Sequence, residues 1–188
     1  MALSAEMAAN LGPLAALAGT WEGDRGIDLA MSSDGPKETR YRERLTLDPL
    51  GPVNNTKQVL YGLRYATTAW PLGEEKAFHE EVGYWLYDAD AGLVMRAFMV
   101  PRGVLVNAGA QVSADATSFT LSADHGSTSL GVLSNPVIEE LANTVRYEVA
   151  ITVNLDGSFH YKEDTQLQFK ATGELFHHTD ENTLTRVD

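Results

Sequence analysis

The chain contains no cysteine. That absence removes disulfides, thiol catalysis, thiolate-bound zinc and iron–sulfur clusters together. Long apolar runs are missing too, and none approaches the roughly 20 residues that carry a helix across a bilayer. Basic residues are scarce: 14 Lys+Arg stand against 26 Asp+Glu, a formal net charge of −12. So acidic a chain is a poor partner for phosphate backbones and for anionic membrane surfaces, which both attract concentrated Lys and Arg. No basic stretch precedes a long apolar segment near the start, so no signal peptide is expected and a cytoplasmic location is. Nor is there a Gly-rich phosphate loop, a His-Glu-x-x-His pair or a nucleophile elbow. What remains is 188 residues of ordinary globular composition, enough for one domain with a sizeable core.

The first eighteen residues are rich in Ala and Leu, with Leu11, Leu14 and Leu17 at helical spacing. A short helical turn is expected from about Pro13 to Ala18, lying across one end of the fold. Residues 1–18 thus read as an N-terminal helical cap and 19–188 as a single β-barrel domain. From Thr20 onward the period becomes two. Tyr41, Glu43, Leu45 and Leu47 share one face, and Arg40, Arg42 and Arg44 the other. Val59, Tyr61, Leu63, Tyr65 and Thr67 alternate with Leu60, Gly62, Arg64 and Ala66. Leu93, Met95, Ala97 and Met99 alternate with Val94, Arg96, Phe98 and Val100. Val145 to Val153 alternate in the same way, and Asp156-Gly157 then signals a hairpin, since both residues tolerate positive φ. Asn135-Pro136 opens the other helical candidate, about Pro136 to Leu141.

Roughly ten strands joined by short connections imply an antiparallel up-and-down meander. Such a meander hides its edges by closing into a lipocalin-like or fatty-acid-binding-protein-like barrel. More than about eight strands leave an interior that side chains do not fill, so a ligand cavity is expected.

Five histidines are the candidates for chemistry: His79, His125, His160, His177 and His178. His160 lies on the polar face of its strand, and His125 sits in a Ser/Asp/Gly-rich loop. His79, Glu81 and Gly83 point the same way on a strand. Spacing alone reads them as a polar face toward water. The alternative is a carboxylate-oriented imidazole beside a glycine that leaves room for a flat ligand. His177 and His178 precede a last short strand, either as surface residues in a turn or as an imidazole at the mouth of a cavity.

Three segments, in order, resemble the nitrobindin family. They are Gly19-x-Trp21-x-Gly23, with Arg25 where the family usually has a further glycine; His79-x-Glu81-x-Gly83-Tyr84; and a strand ending in Pro101-x-Gly103-Val104. A looser C-terminal block follows, in which His178 matches the proximal histidine best and His177 stands next to it. The resemblance implies a roughly ten-stranded barrel holding b-type haem through one histidine, with His178 as the metal ligand. Family members bind nitric oxide and are credited with isomerising peroxynitrite to nitrate, so such an isomerase activity is what the resemblance implies. The pocket residues expected are His178, His177, His79, Met95, Met99 and Val149, with Val59, Leu63 and Leu167 completing an inward apolar stripe; no catalytic side chain is assigned. The rival reading is a carrier of a fatty acid or another apolar molecule in the same cavity without iron. A third is a barrel whose interior is filled by its own side chains. In the first two readings the partner is a small molecule, neither nucleic acid nor membrane, and a homodimer is left open.

Overall fold

A computed structural model describes residues 3–188, so the first two residues of the expected cap lie outside the described residues. Eleven strands close into one barrel. They are β1 (Gly19–Ser32), β2 (Gly35–Asn55), β3 (Gln58–Pro71), β4 (His79–Asp88), β5 (Leu93–Val100), β6 (Val104–Gln111), β7 (Ser118–His125), β8 (Gly131–Leu133), β9 (Ala142–Val153), β10 (Phe159–Phe169) and β11 (Leu175–Arg186). The order around the barrel is β1-β11-β10-β9-β7-β8-β6-β5-β4-β3-β2. The pairings are antiparallel apart from a short parallel one between β7 and the three-residue β8. Closure gives every strand a neighbour on both sides and leaves an interior.

The N-terminal segment is more helical than its sequence suggested. Helix α1 (Ala5–Leu11) is capped by the Ser4 side chain accepting from the Met7 amide, and a 3₁₀ segment, Gly12–Leu17, follows. Leu11, Leu14 and Leu17 are fully buried and close the end of the barrel where β1 begins. The Trp21 indole of the Gly-x-Trp-x-Gly motif donates to the Leu17 carbonyl at 2.8 Å and meets Phe159 edge-on at 4.8 Å. Arg186 lies over the same indole and donates to the Ala16 carbonyl. The motif therefore ties the plug to the barrel.

Helix α2 (Pro136–Leu141) has the expected bounds, with the Asn135 side chain accepting from the Val137 and Ile138 amides. It lies at the opposite end, beside the start of β9. The β9–β10 hairpin also forms, with Gly157 at φ +84°, but through five residues between the strands rather than a two-residue turn.

Two face assignments are reversed: the His79–Glu81 face of β4, which spacing alone turns toward water, faces the interior with Glu81 buried, and the two faces of β5 are exchanged. On β5 it is Val94, Arg96 and Phe98 that point inward; Met95 is only half-buried and Met99 is exposed on the outer face. Both faces of this strand are rich in apolar residues, so alternation alone does not choose. Register chooses: Trp85 stands opposite Arg96 and Tyr87 opposite Val94, and opposed residues share a face. Burial of the Trp85 and Tyr87 rings carries Arg96 inward with them.

Candidate functional site

A cavity of about 720 Å³ occupies the barrel interior and reaches from the open end to Leu17 of the N-terminal plug. Its size falls within the range of about 300–1,000 Å³ usual for small-molecule and cofactor sites. Near the open end it is walled by Phe78, Val100, Val104, Ile138, Leu141 and Phe169. Charged and phenolic side chains interrupt this apolar lining, which alternation did not predict, and toward the plug Leu17, Leu45 and Leu47 make it apolar again.

The centre of that polar lining is Arg96, buried with Glu81 and Glu163. Its Nη2 donates to Glu81 at 2.7 Å and to the Tyr65 hydroxyl at 2.6 Å, and its Nη1 contacts Glu163 and the Tyr147 hydroxyl. The guanidinium also lies 4.4 Å from the Phe98 ring centroid. Burial opposes its charge, but Glu163, Tyr147 and Glu81 outweigh burial and keep it cationic. Glu81 is pushed up to about 8 by burial, against the pull of Arg96.

A second polar group lies on β2, β10 and β11. Tyr41 donates to Asp180, Tyr161 donates to Glu43 at 2.8 Å, and the two hydroxyls stand 2.7 Å apart. Glu43 further accepts from Thr67 at 2.7 Å and Asn182 at 3.2 Å. Burial raises both carboxyls, Asp180 well above the usual carboxylate range. Tyr41 fits because Gly26 faces it across the β1–β2 ladder: a Cβ on Gly26 would fall within the Tyr41 ring.

Two histidines line the cavity. His178 on β11 pairs through Nε2 with Asp28 of β1 at 2.7 Å; His79 on β4 pairs through Nε2 with Glu81 at 3.0 Å. Burial lowers the pKa of His79 and keeps its ring neutral. In each ring one nitrogen is engaged by an acidic side chain and the other has no hydrogen-bond partner among the described residues, the arrangement that orients imidazoles for metal ligation. His177 points the other way, as its neighbour on a strand must. Its ring is on the outer surface with Nδ1 2.8 Å from Asp164.

The other expected pocket residues fare differently. Leu167 lines the cavity. Met95 and Met99, expected to flank a bound ring, face away from it for the register reason above. Val149 and Leu63 are fully buried but pack in the apolar core, and Val59 is exposed near the start of β3. Gly83 leaves no room for a ligand either: a Cβ there would strike the Ala97 carbonyl and the Phe98 backbone, so this glycine serves the close β4–β5 approach. The interior polar residues had a sequence signal. Glu43 interrupts an apolar face between Tyr41 and Leu45, and Arg96 sits alone in an apolar strand; a charge on a buried stripe needs partners.

The donor set suits an iron macrocycle. Two carboxylate-backed imidazoles and an apolar outer wall meet in one cavity, and a histidine nitrogen is an ordinary axial ligand for haem iron.

Comparison with known proteins agrees. The crystal structure of Rv2717c from M. tuberculosis is similar in fold, with a TM-score of 0.65 over 93% of this chain and 95% of that one, at 16% sequence identity. No curated protein matches the chain. A family model described as "THAP4-like, heme-binding beta-barrel domain" matches residues 10–186, nearly the whole chain. The nitrobindin resemblance of the three sequence segments points to the same barrels. This chain belongs to the THAP4-like, heme-binding beta-barrel domain family.

Proposed function

We propose that the cavity binds b-type haem, whose iron His178 would hold, and that the protein serves nitric oxide binding and the isomerisation of peroxynitrite to nitrate. The observation that carries this reading is the His178–Asp28 pair on the cavity wall, one ring nitrogen held by a carboxylate at 2.7 Å and the other unengaged. When bound, the iron supplies the Lewis-acid and redox chemistry.

The chain's own residues do the rest. Asp28 fixes the His178 ring and strengthens its free nitrogen as a donor. Phe78, Ile138, Leu141, Leu167 and Phe169 cover apolar surface and keep water out, each buried Å² contributing about 25 cal/mol. His79, held by Glu81 and neutral, is a hydrogen-bonding group on the same cavity.

The buried carboxyls within the cavity disfavour a fatty-acid carrier. Glu43, Glu81, Glu163 and Asp180 line it, and its buried cation, Arg96, is already paired with two carboxylates, while Arg102 lies on the exposed β5–β6 turn. Titration with hemin tests the reading: a sharp Soret band saturating at one equivalent supports it. No band, with saturable displacement of a fluorescent fatty acid, would replace it with the carrier.

A further inference from the structure

Strand β5 reads Leu-Val-Met-Arg-Ala-Phe-Met-Val, apolar on both faces. The barrel interior accounts for one of them, Val94, Arg96 and Phe98. A strand apolar on both faces is the pattern of one covered on both sides. Here the outer side is bare.

Register carries this bare face sideways. Ala66 of β3 stands opposite Val82 of β4, Val82 opposite Met99 of β5, Met99 opposite Leu105 of β6, and Leu105 opposite Leu133 of β8. Opposed residues share a face, so these five make one row across five adjacent strands, about 19 Å wide at the usual strand spacing. Tyr84 lies beside the row, at the next outward position of β4. Val82, Tyr84, Met99, Leu105 and Leu133 are each between 43% and 66% exposed. By contrast, the exposed Leu155 stands alone on the β9–β10 turn.

The face lacks charge as well. No outward side chain of β5 or β6 is charged, in a chain whose net charge is −12. Glu80 of β4, Arg64 of β3 and the Arg102 turn only border it.

We propose that this outer face of β3, β4, β5, β6 and β8 is where two copies of the chain meet in a two-fold dimer. A two-fold contact sets one patch against itself, so the patch must be self-complementary. Copies of so acidic a chain repel one another in general, but on this face neither presents a charge. With β5 in the middle of the row, an axis through Met99 lays apolar side chains on apolar ones across its width. The five large side chains expose on the order of 500 Å², large for the biggest apolar patch of a monomer. Two copies meeting there would bury about twice that, close to the ~1,000 Å² that a biological interface must clear, before the rim is counted. The face lies on the opposite side of the sheet from the cavity, so the dimer does not depend on what the cavity binds.

The test is the mass in solution, measured by sedimentation equilibrium on the ligand-free chain from about 1 to 100 μM. Wild type is expected to reach twice 20.5 kDa at the upper end. Val82→Glu and Leu105→Glu sit on different strands at exposed positions, so they spare the core and set like charges against each other across the axis. Each is expected to weaken association tenfold or more, while Leu155→Glu adds the same charge elsewhere and stays dimeric. Added NaCl is expected to tighten the dimer, since it screens the repulsion between the two acidic chains. Melting curves check that the variants fold, and either of the first two suffices. A wild type that stays at 20.5 kDa throughout would leave the face to some other protein and overturn the dimer. So would a dimer that survives Val82→Glu and Leu105→Glu, or one that salt dissociates.

Discussion

His178 and Asp28 are 150 residues apart in the chain and meet at 2.7 Å, because β1 and β11 close the barrel against each other. Closure thus creates the oriented imidazole: neither strand alone supplies both partners. Removing the carboxylate while keeping the shape should weaken the ligand without removing it. Asp28→Asn is expected to lower hemin affinity about 10–100-fold, the usual effect of losing such a partner, with a Soret band still formed. Unchanged affinity in a hemin titration would show that Asp28 does not act through the ring.

The reversed face of β5 gives a second prediction. Met95→Ala and Met99→Ala lie outside the cavity and should leave hemin affinity within about twofold, as surface changes do. Leu167→Ala removes cavity wall worth roughly 1–2 kcal/mol of apolar contact, so about a tenfold loss is expected. A larger effect from either methionine than from Leu167 would contradict the register.

The Arg96 cluster sets a third. Arg96→Met leaves Glu81 and Glu163 buried without their cation, which typically costs about 3–5 kcal/mol. Urea unfolding measures it, and a loss below about 1 kcal/mol would mean that Arg96 does not hold this cluster together.

Glu81 adds a pH dependence with a definite sign. Its folded pKa is raised from 4.5 to about 8, so between those values the native state holds more protons than the unfolded chain. Stability from this group is therefore full below about 4.5 and is lost as pH rises toward 8 and beyond. His79 works in the other direction, since its lowered pKa makes the fold lose stability as pH falls below 6.5. Melting temperatures of wild type and Glu81→Gln across this range should differ in slope, the variant falling less steeply between 5 and 8. Parallel curves would show that Glu81 is not titrating there.

Much of this fold can be read from alternation. The inward run Tyr41–Glu43–Leu45–Leu47 and the helix at Pro136–Leu141 stand where the pattern puts them, because one face of each strand is plainly apolar and Asn135-Pro136 is a strong cap. Alternation fails on β5, where both faces are apolar and pairing with β4 decides. It also misses β8, three residues long and without a period of its own. The site was visible only in part. Neighbouring histidines must face opposite ways, but the chain alone does not say which faces in; the β1–β11 register does. Some partners of Glu43 and Arg96, Tyr161 and Tyr147 among them, come from strands more than fifty residues away, which only the closed barrel brings together.

The central claim is that His178, not His177, holds the iron. Hemin titrations of His178→Ala and His177→Ala test it most directly. Loss or marked shift of the Soret band in His178→Ala, with a normal band in His177→Ala, is the expected result. A band abolished by His177→Ala and retained by His178→Ala would contradict it.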